Sequence, residues 1–213
     1  MKIFSGKSNI SLAKKIAECA GYPLGAIELG TFSDGELRVA FKENIRGEDV
    51  FLIQSTNPPA ENLMELLLML DAAKRASAKT VTAIIPYYGY SRQDRKDQPR
   101  VPISARMILD LIKSAGVDRM ITMDLHSPQI QGFTNVPFDN LYSRIALFDK
   151  LKNYNLNADS GVVLAPDVGS AKMSQAYAKT LGIGFALIDK RRPKANHAEV
   201  VNLIGDLKDQ HVL

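Results

Sequence analysis

What most constrains this chain is a repeated switch in hydrophobic period. Short β-branched and apolar runs, each about the length of one strand, alternate with longer stretches in which apolar residues recur three and four apart. Strands separated by helical crossovers lie side by side in the same direction, so the pattern predicts an α/β fold with mostly parallel sheet. The strand-like runs fall at residues 2–5, 37–41, 49–54, 80–85, 119–123, 162–165 and 185–188. Within 37–41, Leu37, Val39 and Phe41 face one way and Arg38 and Ala40 the other, the period of a half-buried strand. Helical spacing joins Leu12, Ile16 and Cys19, opened by Ser11 and ended by Gly21. It recurs in Leu63, Leu66, Leu67, Leu70 and Ala73 after the break at Pro58 and Pro59, in 104–115 ahead of Gly116, and in 172–181. Its place in the first stripe predicts that Cys19 is a small buried hydrophobe.

A chain of 213 residues can bury one large core or two small ones. The pattern reads as two doubly wound units, 1–142 and 143–213, with 153–160 a polar loop inside the second. His211, Val212 and Leu213 read as the opening of a buried strand, which predicts an incomplete second unit and a truncated chain. The longest apolar run, 66–70, is too short to cross a bilayer and the N-terminus has no apolar signal region, so a cytoplasmic protein without a membrane partner is expected. A single cysteine excludes a disulfide framework and a cysteine-rich metal site. Lys and Arg number 27 against 23 Asp and Glu, and the net charge of +4 suits an anionic ligand. Acidic residues interleaved with the basic loops argue against a stripe that tracks nucleic acid.

Ligands of doubly wound sheets sit beyond the carboxyl ends of the strands, so the polar residues that follow each apolar run are the candidates. After 80–85 comes a long loop, 87–100, with Arg92, Arg95, Lys96 and Arg100 beside Asp94 and Asp97. It reads either as a solvated charged turn or as a polyphosphate clamp, in which guanidinium groups bind phosphate bidentately and Gln93 reads a base edge. After 119–123 comes Asp124-Leu125-His126. On an extended segment Asp124 and His126 point to the same side, where they could hold a divalent cation, although a lone histidine at a strand end is more often a hydrogen-bonded structural residue. Asp167, after 162–165, is either the cap of the next helix or another magnesium ligand. Lys190, Arg191, Arg192 and Lys194 follow 185–188 and need an anion or solvent to spread their charge, which suits a mobile loop that closes over phosphates. Gly6-Lys7-Ser8 lacks the earlier glycine of a P-loop, and Gly182-Ile183-Gly184 lacks the third glycine of a dinucleotide fingerprint.

The run Asp124-Leu125-His126-Ser127-Pro128-Gln129-Ile130-Gln131-Gly132-Phe133, closing at Pro137-Phe138-Asp139, resembles the signature of the ribose-phosphate pyrophosphokinase family, the phosphoribosyl pyrophosphate synthetases. Phe32-Ser33-Asp34-Gly35-Glu36, Asn62-Leu63-Met64-Glu65-Leu66, Tyr90-Ser91-Arg92-Gln93-Asp94-Arg95-Lys96 and Ala165-Pro166-Asp167-Val168-Gly169 extend the resemblance over the whole chain. It implies two α/β domains of phosphoribosyltransferase type. It also implies transfer of the β,γ-pyrophosphoryl group of Mg-ATP to the anomeric hydroxyl of ribose 5-phosphate, giving phosphoribosyl pyrophosphate and AMP.

By the same resemblance Arg92 and Gln93 contact adenine, Arg95, Asp97 and His126 belong to the ATP site, and Phe32, Asp34 and Glu36 reach that ATP from a neighbouring subunit. His126 and Asp167 hold magnesium-bound phosphates, and Lys190 and Arg192 are catalytic residues on a flexible loop. Arg46 and Ser77 correspond to a regulatory phosphate and ADP site at a subunit interface, in a homohexamer built from dimers. Thr134 replaces the usual aromatic residue after Phe133, on a loop expected to tolerate it. The family continues past the position of Leu213 with the loop that binds ribose 5-phosphate. A catalytically silent nucleotide-binding or assembly subunit of the family is therefore the alternative reading, because a chain without that loop cannot hold the nucleophile in place.

Overall fold

The computed structural model describes residues 1–194 and 197–213, and describes side chains for 1–189 and 202–213. It divides into two units, Met1–Tyr142 and Ser143–Leu213. In the first, β1 (Lys2–Ser5) leads through α1 (Ile10–Ala20) and a hairpin of β2 (Ile27–Thr31) and β3 (Leu37–Phe41) into β4 (Asp49–Ile53). Then follow α2 (Glu61–Arg75), β5 (Thr80–Ile85), α3 (Ser104–Ser114), β6 (Arg119–Met123), a 3-10 turn at Pro128–Phe133 and β7 (Phe138–Leu141). The sheet runs β1-β4-β5-β6-β7, all neighbours parallel.

Alternate residues of each strand go to opposite faces, and helices cover both faces at its β1 end. Phe4 and Leu52 turn toward α2 and α3, where Leu66, Met69, Leu70, Leu109 and Ile112 are fully buried. Ile3 and Ile53 turn the other way and meet Ala13 and Ala17 of α1. These small alanines let α1 lie close to the sheet, and they correct the expected stripe. Cys19 falls outside the buried face and is exposed rather than a buried hydrophobe. The helix also starts earlier than Ser11, because Asn9 caps it by accepting from the Leu12 N–H at 3.0 Å.

The second unit contains α4 (Arg144–Lys152), β8 (Gly161–Ala165), a 3-10 turn at Val168–Ser170, α5 (Ala171–Leu181), β9 (Gly184–Lys194), β10 (His197–Ile204) and β11 (His211–Val212). Its strand order is β10-β9-β8-β11, with β11, β8 and β9 parallel and β10 antiparallel. Val163, Ala178 and Ile183 form its core. Two expectations change here. The chain after residue 188 is not a loop, since β9 continues to Lys194 and pairs with β10 in register Lys190 with Val200 and Arg191 with Glu199. The last strand, β11, is exposed rather than buried.

Four elements escape the periodic reading, β10 among them. β2 is interrupted by Gly30, β7 is a Phe-Asp-Asn-Leu segment of mixed polarity, and α4 buries none of its residues. Among the described residues no helix is long and apolar enough to cross a membrane.

Candidate functional site

β5 and β6 are parallel neighbours, so their following segments leave the same edge of the sheet. There, residues 87–100 and the Leu125-His126 turn enclose a pocket of about 270 Å³. Arg92, Gln93, Arg95, Asp97 and His126 line it, together with Asp94 and Ser127. Lys96 and Arg100 are not among the lining residues. Among the described residues neither Arg92 nor Arg95 is held in an ion pair, unlike Arg38, Arg75, Arg106 and Arg119, so both bring guanidinium charge to the pocket without a carboxylate partner. An anion entering there would have charged donors to meet before any internal pair had to be broken.

Buried anchors hold the two segments. Tyr88 is 3% exposed, packs edge-on against Phe138 at 5.9 Å between ring centroids, and donates its hydroxyl to the Ala105 carbonyl at 2.9 Å. Its burial, and secondarily Asp110, push the phenol well above its ordinary range, so it acts as a neutral hydrogen-bond donor. Gln93 is tied twice to the start of α3: its carbonyl accepts from the Ala105 N–H at 3.1 Å, and its Oε1 accepts from Ser104 Oγ at 2.6 Å. With Oε1 held by Ser104, its amide N–H₂ becomes the edge that a base acceptor would meet. Thr122 Oγ1 donates to the Ile85 carbonyl at 2.7 Å and so ties β6 to the end of β5. Leu125 is buried, and its N–H donates to Asn140 Oδ1 at 3.1 Å.

The Asp124–His126 turn departs from the extended geometry expected of it. Asp124 has φ of 49°, in the left-handed region, so the two side chains do not share one side of a strand. His126 is exposed at the pocket, while Leu125 fills the core between them. Asp167, in the second unit, uses Oδ1 to accept from the Ser170 N–H at 2.9 Å and so caps the 3-10 turn. Among the described residues no group of three or more His, Cys, Asp and Glu side chains is placed to hold a metal.

The remaining candidates lie apart from the pocket lining. Phe32, Asp34 and Glu36 form the exposed tip of the β2–β3 hairpin. Asp34 Oδ1 accepts from the Glu36 N–H at 3.1 Å, and Gly35, at φ of 94°, makes the turn. Arg46 is exposed, and the adjoining Gly47 N–H donates to the Ser77 carbonyl at 2.9 Å, which brings the Arg46 turn and Ser77 together. The Lys190 and Arg192 side chains lie outside the described residues. Sequence reasoning missed Tyr88, Ser104, Thr122 and Asn140, which support the site, because their partners are distant in the chain and no local motif marks them.

A parallel α/β sheet with a pocket of arginine, carboxylate and imidazole at its carboxyl edge is the arrangement in which open α/β folds present charged side chains to a ligand. Residues 1–116 match the N-terminal domain of ribose phosphate pyrophosphokinase. The chain is 57% identical, over 100% of its length and 66% of the relative's, to the ribose-phosphate pyrophosphokinase of Chlorobaculum tepidum. It is 51% identical to that of Thermotoga maritima, covering 100% of this chain and 68% of that one. The crystal structure of phosphoribosylpyrophosphate synthetase from Mycobacterium smegmatis superimposes with a TM-score of 0.87 at 39% identity, covering 97% of this chain and 67% of that one. The chain belongs to the ribose-phosphate pyrophosphokinase family, and it spans about two thirds of the length of the curated relatives it matches.

Proposed function

We propose that the protein of which this chain forms part transfers the β,γ-pyrophosphoryl group of Mg-ATP to ribose 5-phosphate. The anomeric oxygen forms a bond to the β-phosphorus, the bond from that phosphorus to the oxygen bridging it to the α-phosphate breaks, and AMP leaves. The observation that carries this reading is the gathering of Arg92, Gln93, Arg95, Asp97 and His126 in one pocket at the carboxyl ends of β5 and β6. Arg92 and Gln93 hold the adenine, the guanidinium by its face and the amide by its free N–H₂, while Arg95 neutralises phosphate charge.

The donor set suits magnesium that arrives with the nucleotide. An exposed imidazole at His126 and a carboxylate at Asp167 with one oxygen already used by a cap do not make a cage for a bare ion. Either one, within its own unit, suffices for an ion that keeps its waters and takes most of its ligands from phosphate. Bound that way, magnesium supplies neutralisation of charge on the transferring group. Lys190 and Arg192 stabilise the charge that develops in transfer. Phe32, Asp34 and Glu36 reach the nucleotide of a neighbouring subunit in a hexamer of dimers. Arg46 and Ser77 serve a regulatory phosphate or ADP site, and the protein works in the cytoplasm.

Calorimetric titration of the chain with ATP, in magnesium and in chelator, tests the site. Magnesium is expected to tighten binding, and Arg92→Ala to weaken it by about 10- to 100-fold, the worth of a hydrogen bond to a charged group. Equal affinity in Arg92→Ala and wild type would remove the pocket from the ATP role.

A further inference from the structure

The carboxyl ends of β1 and β4 carry a buried polar network that none of the chemistry above uses. Glu65, in α2, is 4% exposed, and Gln54, directly after β4, is 1% exposed. A carboxylate and an amide so buried are costly unless hydrogen-bonded, and both are. Glu65 Oε1 accepts from the Lys7 backbone N–H at 2.7 Å and from Gln54 Nε2 at 3.0 Å, and Lys7 Nζ stands 3.8 Å from Oε2. Gln54 Oε1 accepts from the Ser8 N–H at 3.0 Å, Ser8 Oγ from the Ser55 N–H at 2.8 Å, and Ser55 Oγ from the Tyr87 N–H at 3.3 Å. One residue on, the Thr56 N–H donates to the Tyr87 carbonyl at 2.9 Å and Thr56 Oγ1 accepts from the Gly89 N–H at 2.8 Å.

The bonds therefore run from the interior of α2, through the turns after β1 and β4, to the root of the pocket loop just ahead of Arg92. At both ends the fit leaves no room for a side chain. A Cβ on Gly6 would stand 2.2 Å from Gln54 Oε1, and one on Gly89 would stand 2.1 Å from the Thr56 carbonyl oxygen. A leucine in place of Glu65 would serve burial at least as well, whereas directional bonds hold segments in a single geometry.

We propose that Glu65, Gln54, Ser8, Ser55 and Thr56 are positioning residues of the nucleotide site. They fix Tyr87 and Gly89 against the ends of β1 and β4, so that Arg92 and Arg95 stand ready for the ligand before it binds. The proposal rests on the reading of the 87–100 loop as a nucleotide site. It separates geometry from stability, because the network meets the loop by its hydroxyls and backbone and none of its residues lines the pocket.

The test compares Thr56→Val, Thr56→Ser and Ser8→Ala with Thr80→Val in the full 213-residue chain. Thr80 Oγ1 donates to Asp49 Oδ1 at 2.7 Å at the opposite end of the sheet, so its loss removes a similar bond away from the loop. Two quantities are read: amide hydrogen exchange of the 87–100 segment without nucleotide, and Mg-ATP affinity by calorimetry well below the melting temperature. Thr56→Val and Ser8→Ala should speed exchange in the loop and weaken Mg-ATP by about fivefold, the worth of one hydrogen bond. Thr56→Ser should restore both, and Thr80→Val should lower the melting temperature while leaving both unchanged. If Thr56→Val does not fold, Ser8→Ala, at a half-buried turn, carries the test. Loop exchange and affinity matching those of Thr80→Val would overturn the proposal. Absence of ATP binding in the wild type would instead overturn the nucleotide reading, with loop exchange still deciding whether the network positions the segment.

Discussion

Glu43 shows how one side chain couples strands. Its Oε1 accepts from the Ala26 N–H at 2.7 Å, and its other oxygen takes the Lys2 ammonium of β1. The Lys2 hydrogen bond, and next the Ala26 N–H, hold its carboxyl below the ordinary value of 4.5, while Lys2 is raised by the same contact. A carboxylate depressed in the folded state stabilises fully above its unfolded value and loses that contribution as pH falls through the folded one. Glu43→Gln is therefore expected to lower the melting temperature near neutral pH, and the gap to wild type should close as pH falls below 4.5. Melts recorded from about pH 7 to about pH 3 read this directly, and a constant gap would assign Glu43 a role in packing alone. Lys190 belongs to the same scale but to a different free energy. In the active protein Lys190→Ala is expected to lower turnover by about two orders of magnitude with little change in the ATP Michaelis constant, because the charge it meets appears only in transfer. Steady-state kinetics with a raised Michaelis constant and unchanged turnover would make it an ordinary binding residue.

Elements here are set by how they end as much as by their periods. Asn9 caps α1 through the Leu12 N–H, and Gly21 at φ of 73° closes it. Asn9→Ala should cost about 1 kcal/mol, read as a lower denaturation midpoint with an unchanged slope. An unaltered midpoint would mean that packing of Ala13 and Ala17, not the cap, sets the start of the helix. β5 and β6 were legible in the sequence because β-branched and apolar residues dominate both. β7 and α4 were not, since Phe-Asp-Asn-Leu has no strand period and α4 presents Ile145 and Leu147 to solvent. The chain after residue 188 misled for a related reason. Four cations in five residues read as a loop, yet backbone pairing with β10 needs no apolar side chain, and it carries β9 on to Lys194.

At the scale of the molecule, each unit has its own core. The clusters around Leu66 and around Ile3 lie within Met1–Tyr142, and the cluster around Val163 lies within Ser143–Leu213. The pocket of Arg92, Gln93, Arg95, Asp97 and His126 belongs wholly to the first unit. Residues 1–142 alone are therefore expected to unfold in one cooperative transition. A broad, non-cooperative melt of this fragment would show that its core needs the second unit.

The sequence by itself determined the class of fold and the edge of the sheet at which the candidate residues lie. Hydrophobic period is a local property, and in a parallel sheet it places every loop that follows a strand at one edge, so Arg92, Arg95 and His126 fall at that edge whatever their contacts. Tertiary structure alone decided how those residues are held. Ser8 meets Ser55 across 47 positions, Gly89 meets Thr56 across 33, and the left-handed turn at Asp124 breaks the strand geometry on which its pairing with His126 depended. Hydrogen bonds between segments brought together only by folding leave no period in the chain, because each partner is a common polar residue whose meaning comes from what lies opposite it.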